Sequence, residues 1–396
     1  MGNVRTEGDF IKINEWLLPL SWLYGFGVKF RNMLFDVGIL QSRSFDVPVI
    51  SVGNITVGGT GKTPHVEYLI SLLKDKVKVA VLSRGYKRKT RGFVIADANA
   101  TAKTVGDEPL QMKRKFGDDI TVAVDRNRCH GIDKLTGKES AGDIDVVLLD
   151  DAFQHRYVTP GINILLVDYH RLIIYDKLLP AGRLREPLNG KNRADIVIVT
   201  KCPHDLKPME YRVITKAMDL FPFQRLYFTR LDYKNLTPVF GGRELPLDKI
   251  RHDGHILLLT GIASPRQMIE DLTPLCGNIK PLTFGDHHSF TSSDVDRINS
   301  EFAAMPQPKM IVTTEKDATR LIALEGLSED VRACIYALPV RISFMLEQEE
   351  SFNEKIIGYV RKNSRNSILA KAKDDNKPRN GNHTGYRSRT ISFRDN

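Results

Sequence analysis

The sequence predicts an α/β protein, in which a mostly parallel sheet with helices between its strands is followed by a second, smaller α/β domain. Apolar strand-like runs such as Val49-Ile50-Ser51-Val52 and Val146-Val147-Leu148-Leu149 alternate with helical patterns, as parallel crossovers require. Several of these runs end in polar loops carrying Asp, Arg or Gly. A stretch dominated by Pro, Gly and charge at 221–248 interrupts the pattern, which then resumes with new strands at 255–260, 279–284, 310–313 and 334–338. The domain boundaries expected from this are 1–45, 46–230, 231–362 and 363–396.

The 396 residues are enough for two domains with full cores, and 41% apolar with 27% charged residues is a globular composition. Net charge is +10, but ten Lys or Arg stand against three Asp in residues 361–396. The folded part is therefore only mildly basic, and no nucleic-acid partner is expected. The basic tail, poor in apolar residues, reads as a solvated disordered segment. Cys129, Cys202, Cys276 and Cys334 form no paired metal or redox motif, so reduced cytosolic thiols are expected.

The N-terminus shows no basic leader with a cleavage site. The run from Trp16 to Val28 is too short to span a bilayer, which takes about 20 residues. Trp16, Leu20, Leu23, Gly27, Phe30 and Leu34 form a helical stripe, with Trp and Tyr beside Lys29 and Arg31. That suits a helix lying in a membrane surface, and equally a helix docked on its own core.

Next comes strand, glycine-rich loop, helix. Val49 to Gly53 leads into Asn54-Ile55-Thr56-Val57-Gly58-Gly59-Thr60-Gly61-Lys62-Thr63-Pro64, and Val66, Leu69, Ile70 and Leu73 then recur at helical spacing. Pro64 suits a first helical turn. Glycines let successive backbone N–H groups turn towards phosphate oxygens, and the helix N-terminus adds a favourable field. The pattern is that of a P-loop NTPase-like domain. Residues Thr56, Val57, Gly58, Gly59, Thr60, Gly61, Lys62 and Thr63 would cradle a nucleoside triphosphate, with Lys62 on the β- and γ-phosphates and the Thr63 hydroxyl on Mg²⁺. The competing reading is a turn with no ligand, which the flanking strand and helix argue against.

Further strands are expected at 77–83, 92–95, 120–124, 146–149, 162–168 and 196–201, with a helix from Leu110. Asp150-Asp151 at a strand end can hold Mg²⁺ opposite Thr63, although such acids are often only helix caps. Asp107-Glu108 and the Asp286-His287-His288 group are ambiguous from residues alone: a proton acceptor and its partner, or a helix start and a loop. Arg126, Arg128, Arg183 and Arg185 stand in turns where guanidinium groups can meet phosphate.

Taken together, these segments closely resemble the tetraacyldisaccharide 4'-kinase (lipid A 4'-kinase) family. The resemblance is carried by the 53–64 loop, Leu82-Ser83-Arg84-Gly85-Tyr86, Val105-Gly106-Asp107-Glu108-Pro109, Asp150-Asp151-Ala152-Phe153-Gln154-His155 and Gly182-Arg183-Leu184-Arg185-Glu186-Pro187. Asp286-His287-His288-Ser289-Phe290 and Thr314-Glu315-Lys316-Asp317-Ala318 complete it, and it runs from about residue 16 to 362. It implies ATP- and Mg²⁺-dependent phosphorylation of a lipid A disaccharide 1-phosphate at the cytoplasmic face of the bacterial inner membrane, and it favours the membrane reading of the first helix. It further implies Asp107 as catalytic base with His287 as its partner, supported by Lys62, Arg128 and Arg185. Thr63, Asp150, Asp151 and Glu108 would be the metal-binding residues. Thr56 at the loop's first position is the family's own habit. Ala152 replaces the family's Gly, which predicts a slightly different turn after Asp151. A membrane-associated switch or partitioning ATPase is the alternative; such proteins often carry Lys where Val57 stands. Acyl-chain preference and oligomeric state are not legible.

Overall fold

Two sheets organise the chain in a computed structural model, which describes residues 11, 13–137, 143–261, 265–285, 288 and 290–364. The strands are β1 (Val49–Gly53), β2 (Val79–Ser83), β3 (Val94–Ile95), β4 (Ile120–Val124), β5 (Val146–Asp150), β6 (Ile162–Asp168), β7 (Ile196–Thr200), β8 (Arg225–Tyr233), β9 (Thr237–Pro238), β10 (His255–Thr260), β11 (Asn278–Thr283), β12 (Lys309–Thr314), β13 (Ile335–Leu338) and β14 (Val340–Phe344). The helices are α1 (Leu18–Asp36), α2 (Lys62–Leu73), α3 (Ala102–Val105), α4 (Asp107–Phe116), α5 (Arg128–Thr136), α6 (Pro208–Met218), α7 (Arg266–Leu272), α8 (Ser292–Ala303), α9 (Glu315–Leu321), α10 (Glu329–Cys334) and α11 (Glu349–Asn363).

The larger sheet has nine strands in the order β14-β8-β7-β6-β1-β5-β2-β4-β3. Its interior is parallel, and antiparallel β3 and β14 close the two edges. All five β1 residues are buried because helices cover both faces. The pleat divides the apolar residues between those faces. Val79 and Val81 pack with Val66, Ile70 and Leu73 of α2, whereas Ala80 and Leu82 pack with Ile132 and Leu135 of α5. Each fully buried aliphatic side chain stabilises the fold by about 1.5–3 kcal/mol, which explains why these strands cannot slip register. The chain leaves β1 for β2 on one side, while β6 pairs on its other side. Such a reversal opens a crevice at the carboxyl ends of the strands.

The second sheet has the order β11-β10-β12-β13-β9 and its own apolar cores. The chain returns from it to the first sheet, a step that the expected division at 231–362 does not contain. Strand β14 pairs with β8, and Phe352, Ile356 and Val360 at successive turns of α11 enter the first core. The expected boundary at 230 also falls inside β8, where Arg225, Arg230 and Asp232 at partly exposed positions break the apolar alternation. The tail beyond residue 364 and the first ten residues lie outside the described residues.

Helix α1 docks through its small residues. Ser21 and Gly25 are buried against the loop at 178–181, and a Cβ on Gly25 would come within 2.7 Å of Leu178 Cδ1. The opposite face leaves Trp22, Leu23 and Phe26 each about 70% exposed, with Trp16 and Leu20 beside them. No described helix is long and apolar enough to cross a membrane.

Candidate active site

At the carboxyl end of β1 the chain bends into the glycine-rich loop, and α2 starts at Lys62 after Gly61 in the left-handed region (φ 77). Gly53 is demanded by close approach: a Cβ there would lie 2.8 Å from Phe153 Cβ and 2.9 Å from Phe153 N. That contact sets the loop against the Asp150–His155 segment. On the outside, Val57 N donates to Arg183 O (2.8 Å) and Arg185 N donates to Ile55 O (2.7 Å). The 183–185 segment thus runs alongside the phosphate loop like a short strand, and Thr56 bridges Leu184.

These contacts bring Lys62, Asp151 and Arg185 together. Lys62 Nζ stands 3.5 Å from Asp151 Oδ1, and Arg185 Nη1 stands 3.6 Å from Asp151 Oδ2. Burial would raise the Asp151 carboxyl, but the Lys62 ammonium and Arg185 guanidinium outweigh it and hold the group below its usual range. Asp150 behaves oppositely. Burial, then the charges of Asp151 and Glu108, push it up to about 7 despite Lys62 and Arg128. Its Oδ1 is buried with no hydrogen-bond partner among the described residues. A buried carboxylate oxygen left unsatisfied within reach of the Lys62 charge fits a divalent cation. No group of three His, Cys, Asp or Glu converges among the described residues. Mg²⁺ takes one or two carboxylates and finds its other ligands in phosphates and water.

Ala152 does not strain the turn. The positive φ falls on Asp151 (φ 48), a residue type that tolerates it, and Ala152 has none. Two further expected site residues are engaged within the fold. Arg128, expected on phosphate, is buried at the start of α5; its Nη1 donates to Asp125 O (2.9 Å) and its Nη2 to Asp150 O (3.3 Å). It ties β4 to β5 and sets the height of Asp150. Glu108, expected on the metal, pairs with Lys316 Nζ at 2.9 Å, and its charge also acts on Asp150. Asp107 is the first residue of α4 and is held by Arg320 from α9. His287 lies outside the described residues; its neighbour His288 is committed to Asp294 at 2.8 Å.

The family model described as "Tetraacyldisaccharide-1-P 4'-kinase" matches residues 13–361. The chain belongs to this family. It is 59% identical to the tetraacyldisaccharide 4'-kinase of Phocaeicola vulgatus over 91% of this chain and 99% of that one. It is 55% identical to the Bacteroides fragilis enzyme, over 94% of this chain and 100% of the relative. A crystal structure of LpxK from Aquifex aeolicus in complex with ATP superposes with a TM-score of 0.66 at 31% identity, covering 87% of this chain and 98% of that one.

This member of the 4'-kinase family uses supporting residues that sequence reasoning gave no role. Asn54, wholly buried, donates from Nδ2 to Thr60 Oγ1 (2.8 Å) and so staples the two ends of the phosphate loop. Lys201, just past β7, donates to Gly59 O and pairs with Asp168 at 2.7 Å. Tyr24 of α1 donates to Arg185 O at 2.8 Å, and Ser21 Oγ donates to Leu178 O (3.0 Å) while accepting from Ala181 N (2.9 Å). The exposed helix is therefore bonded to the segment that presents Arg185. Asn54 lies inside a quoted motif, but nothing local marks Tyr24 or Lys201.

His65 fixes the first turn of α2. Gly61 O can only accept, so Nδ1–H donates to it (2.7 Å), and Nε2 accepts from the Thr229 hydroxyl (3.0 Å). Burial pushes this imidazole down to about 4. Unfolded His titrates near 6.5, so the unfolded chain binds the extra proton first, and stability falls as pH drops from about 6.5 towards 4. The expected contribution is on the order of 3 kcal/mol. Asp150, raised to about 7, acts with the opposite sign between its unfolded value and 7. The readable quantity is therefore the difference between variants: urea midpoints of His65→Gln should fall less between pH 7 and pH 5 than those of the parent chain. Parallel pH slopes would show that His65 is not buried neutral.

Proposed function

We propose that the chain transfers the γ-phosphoryl group of ATP to the 4'-hydroxyl of tetraacyldisaccharide 1-phosphate, the reaction for which its relatives are named. The observation that supports this best is the convergence of Lys62, Asp151 and Arg185 on the phosphate loop beside the unsatisfied oxygen of Asp150. Phosphoryl transfer forms no covalent intermediate here and needs only positioning and charge balance. The loop backbone and Lys62 bind the β- and γ-phosphates. Thr63 and Asp150 would hold Mg²⁺, with Asp151 close by, and a cation bound there would supply charge neutralisation on the phosphates. Asp107 accepts the proton of the acceptor hydroxyl, with His287 as its partner. Arg185 neutralises negative charge at the rim.

The test is direct. Incubation with ATP, Mg²⁺ and labelled disaccharide 1-phosphate should yield the bisphosphate, with ATP consumed only when the acceptor is present. Acceptor-independent ATP hydrolysis without product would favour the switch ATPase reading.

The exposed Trp16, Leu20, Trp22, Leu23 and Phe26 of the α1 region lie in the inner-membrane surface on its cytoplasmic side, and the acceptor reaches the site from that surface. Trp22→Ser, Leu23→Ser and Phe26→Ser combined should weaken binding to anionic lipid vesicles more than tenfold, since each side chain removes roughly 1–2 kcal/mol of apolar burial. ATP affinity should not change, because Ser21 and Tyr24, which brace the site, remain. Undiminished sedimentation with vesicles would remove α1 from the interface.

A further inference from the structure

The Thr314–Ala318 segment has so far had no role. It begins α9, and it is built around a buried acid. Asp317, fully buried, receives the Gly261 N–H (2.8 Å) and the Thr314 hydroxyl (2.7 Å) on Oδ2. Its Oδ1 receives Arg320 Nη1 at 3.1 Å. Arg320, one turn further along, turns its remaining edge to the first domain. Nε donates to Asp107 Oδ1 (3.1 Å) and Nη2 to Asp107 Oδ2 (2.5 Å), with both side chains nearly buried. One guanidinium is thus shared between a carboxylate of its own helix and the carboxylate of α4. Burial alone would lower the Arg320 pKa, yet the hydrogen bond and charge of Asp107, together with the charges of Asp317 and Glu108, more than offset this.

We propose that Arg320 is the positioning residue of the 4'-kinase reaction, reaching from the second sheet to fix the Asp107 carboxylate. The proposal rests on the reading of Asp107 as base. An Asp at the first position of a helix has more than one χ1 well and a broad χ2, so a grip from outside the helix can decide where its oxygens point. A planar fork gripping both oxygens removes that freedom. Each carboxylate oxygen has two lone pairs, so a bidentate pair leaves sites that still accept a proton. Misplacing a reacting group by about 1 Å costs around a hundredfold in rate, which gives such a brace its value. Because Asp317 shares the guanidinium, the cluster keeps net negative charge and Asp107 is not neutralised outright. Other α4–α9 contacts, Arg114 Nη1 to Thr319 O (2.8 Å) and Lys115 to Glu315 (2.8 Å), hold the helices together without touching the base.

Arg320→Met leaves two acids facing one another and can cost the fold, so the informative variant is Arg320→Lys, which keeps the charge and loses the fork. In full-length enzyme with ATP, Mg²⁺ and disaccharide 1-phosphate, Arg320→Lys should lower kcat at least tenfold while the KM for ATP stays within twofold. Combined with Asp107→Asn, it should cost nothing beyond Asp107→Asn alone, because it acts through that carboxylate. Glu315→Gln, which loosens the same helix pair elsewhere, should leave kcat unchanged. An equal loss from Arg320→Lys in the Asp107→Asn background, or an equal loss from Glu315→Gln, would overturn the positioning role and leave the base in place. Normal turnover of Asp107→Asn would instead overturn the base, and this proposal with it.

Discussion

Lys62→Ala should abolish phosphoryl transfer and leave the fold standing. The ammonium sits at the first residue of α2, where the glycine-rich loop delivers it, 3.5 Å from Asp151 Oδ1. That pair is long and partly exposed at its Asp151 end, so its contribution to stability is on the order of 1 kcal/mol. Asp151 also keeps Arg185 at 3.6 Å, so truncation leaves no stranded charge. The thermal midpoint should therefore move by only a few degrees. Catalysis has no such reserve, because negative charge on the transferring group must be met in place by a fixed positive one. Losing one such donor typically costs 10²–10³-fold, about 3–4 kcal/mol, and loss of a full charge should reach the upper end. Steady-state kinetics at saturating ATP beside a melting curve would check both halves. Near-normal kcat would remove Lys62 from the site, and a collapsed midpoint would make it structural.

How far the sequence carried the fold depends on burial. Strands β1, β4, β5 and β6 lie inside the sheet, where both faces demand apolar residues, and their runs announce them almost to the residue. Strand β8 was hidden because its outer half carries Arg230 and Asp232, which pair with each other at 3.0 Å on a partly exposed face. Strand β14 was hidden because five residues beside an antiparallel partner leave little periodicity. The site divides similarly. Lys62 and Thr63 stand out because a phosphate-binding loop puts particular residues at fixed offsets along one strand–loop–helix, and Asp150 and Asp151 because they close the apolar run of β5. Arg320 lies 213 residues from Asp107 in the chain, so only the folded molecule joins them. Arg128 and Glu108 gain partners that their sequence positions do not announce, Arg128 on backbone carbonyls and Glu108 on Lys316. Ala152, expected to alter the turn slightly, is accommodated because the left-handed conformation falls on Asp151.

Asp107→Asn should lower kcat by roughly a hundredfold or more, the usual scale for a general base, with ATP affinity little changed. The amide keeps the shape and still accepts one hydrogen bond from Arg320, but it cannot take the proton of the acceptor hydroxyl. The structure adds a second expected effect. Arg320 is nearly buried and keeps Asp317 at 3.1 Å, so neutralising Asp107 removes one of the charges that balance it. Breaking a buried pair outright costs about 3–5 kcal/mol, and with Asp317 still in place the loss should fall below that range. A modest drop in melting temperature should therefore accompany the kinetic loss, and kcat must be measured on folded enzyme to separate them. The partnership with His287 is read from a double-mutant cycle. If the two groups act as one unit, Asp107→Asn combined with His287→Ala should cost much less than the sum of the single losses. Full additivity would mean that each works alone, and His287 would then have to be assigned to binding the acceptor rather than to assisting the base.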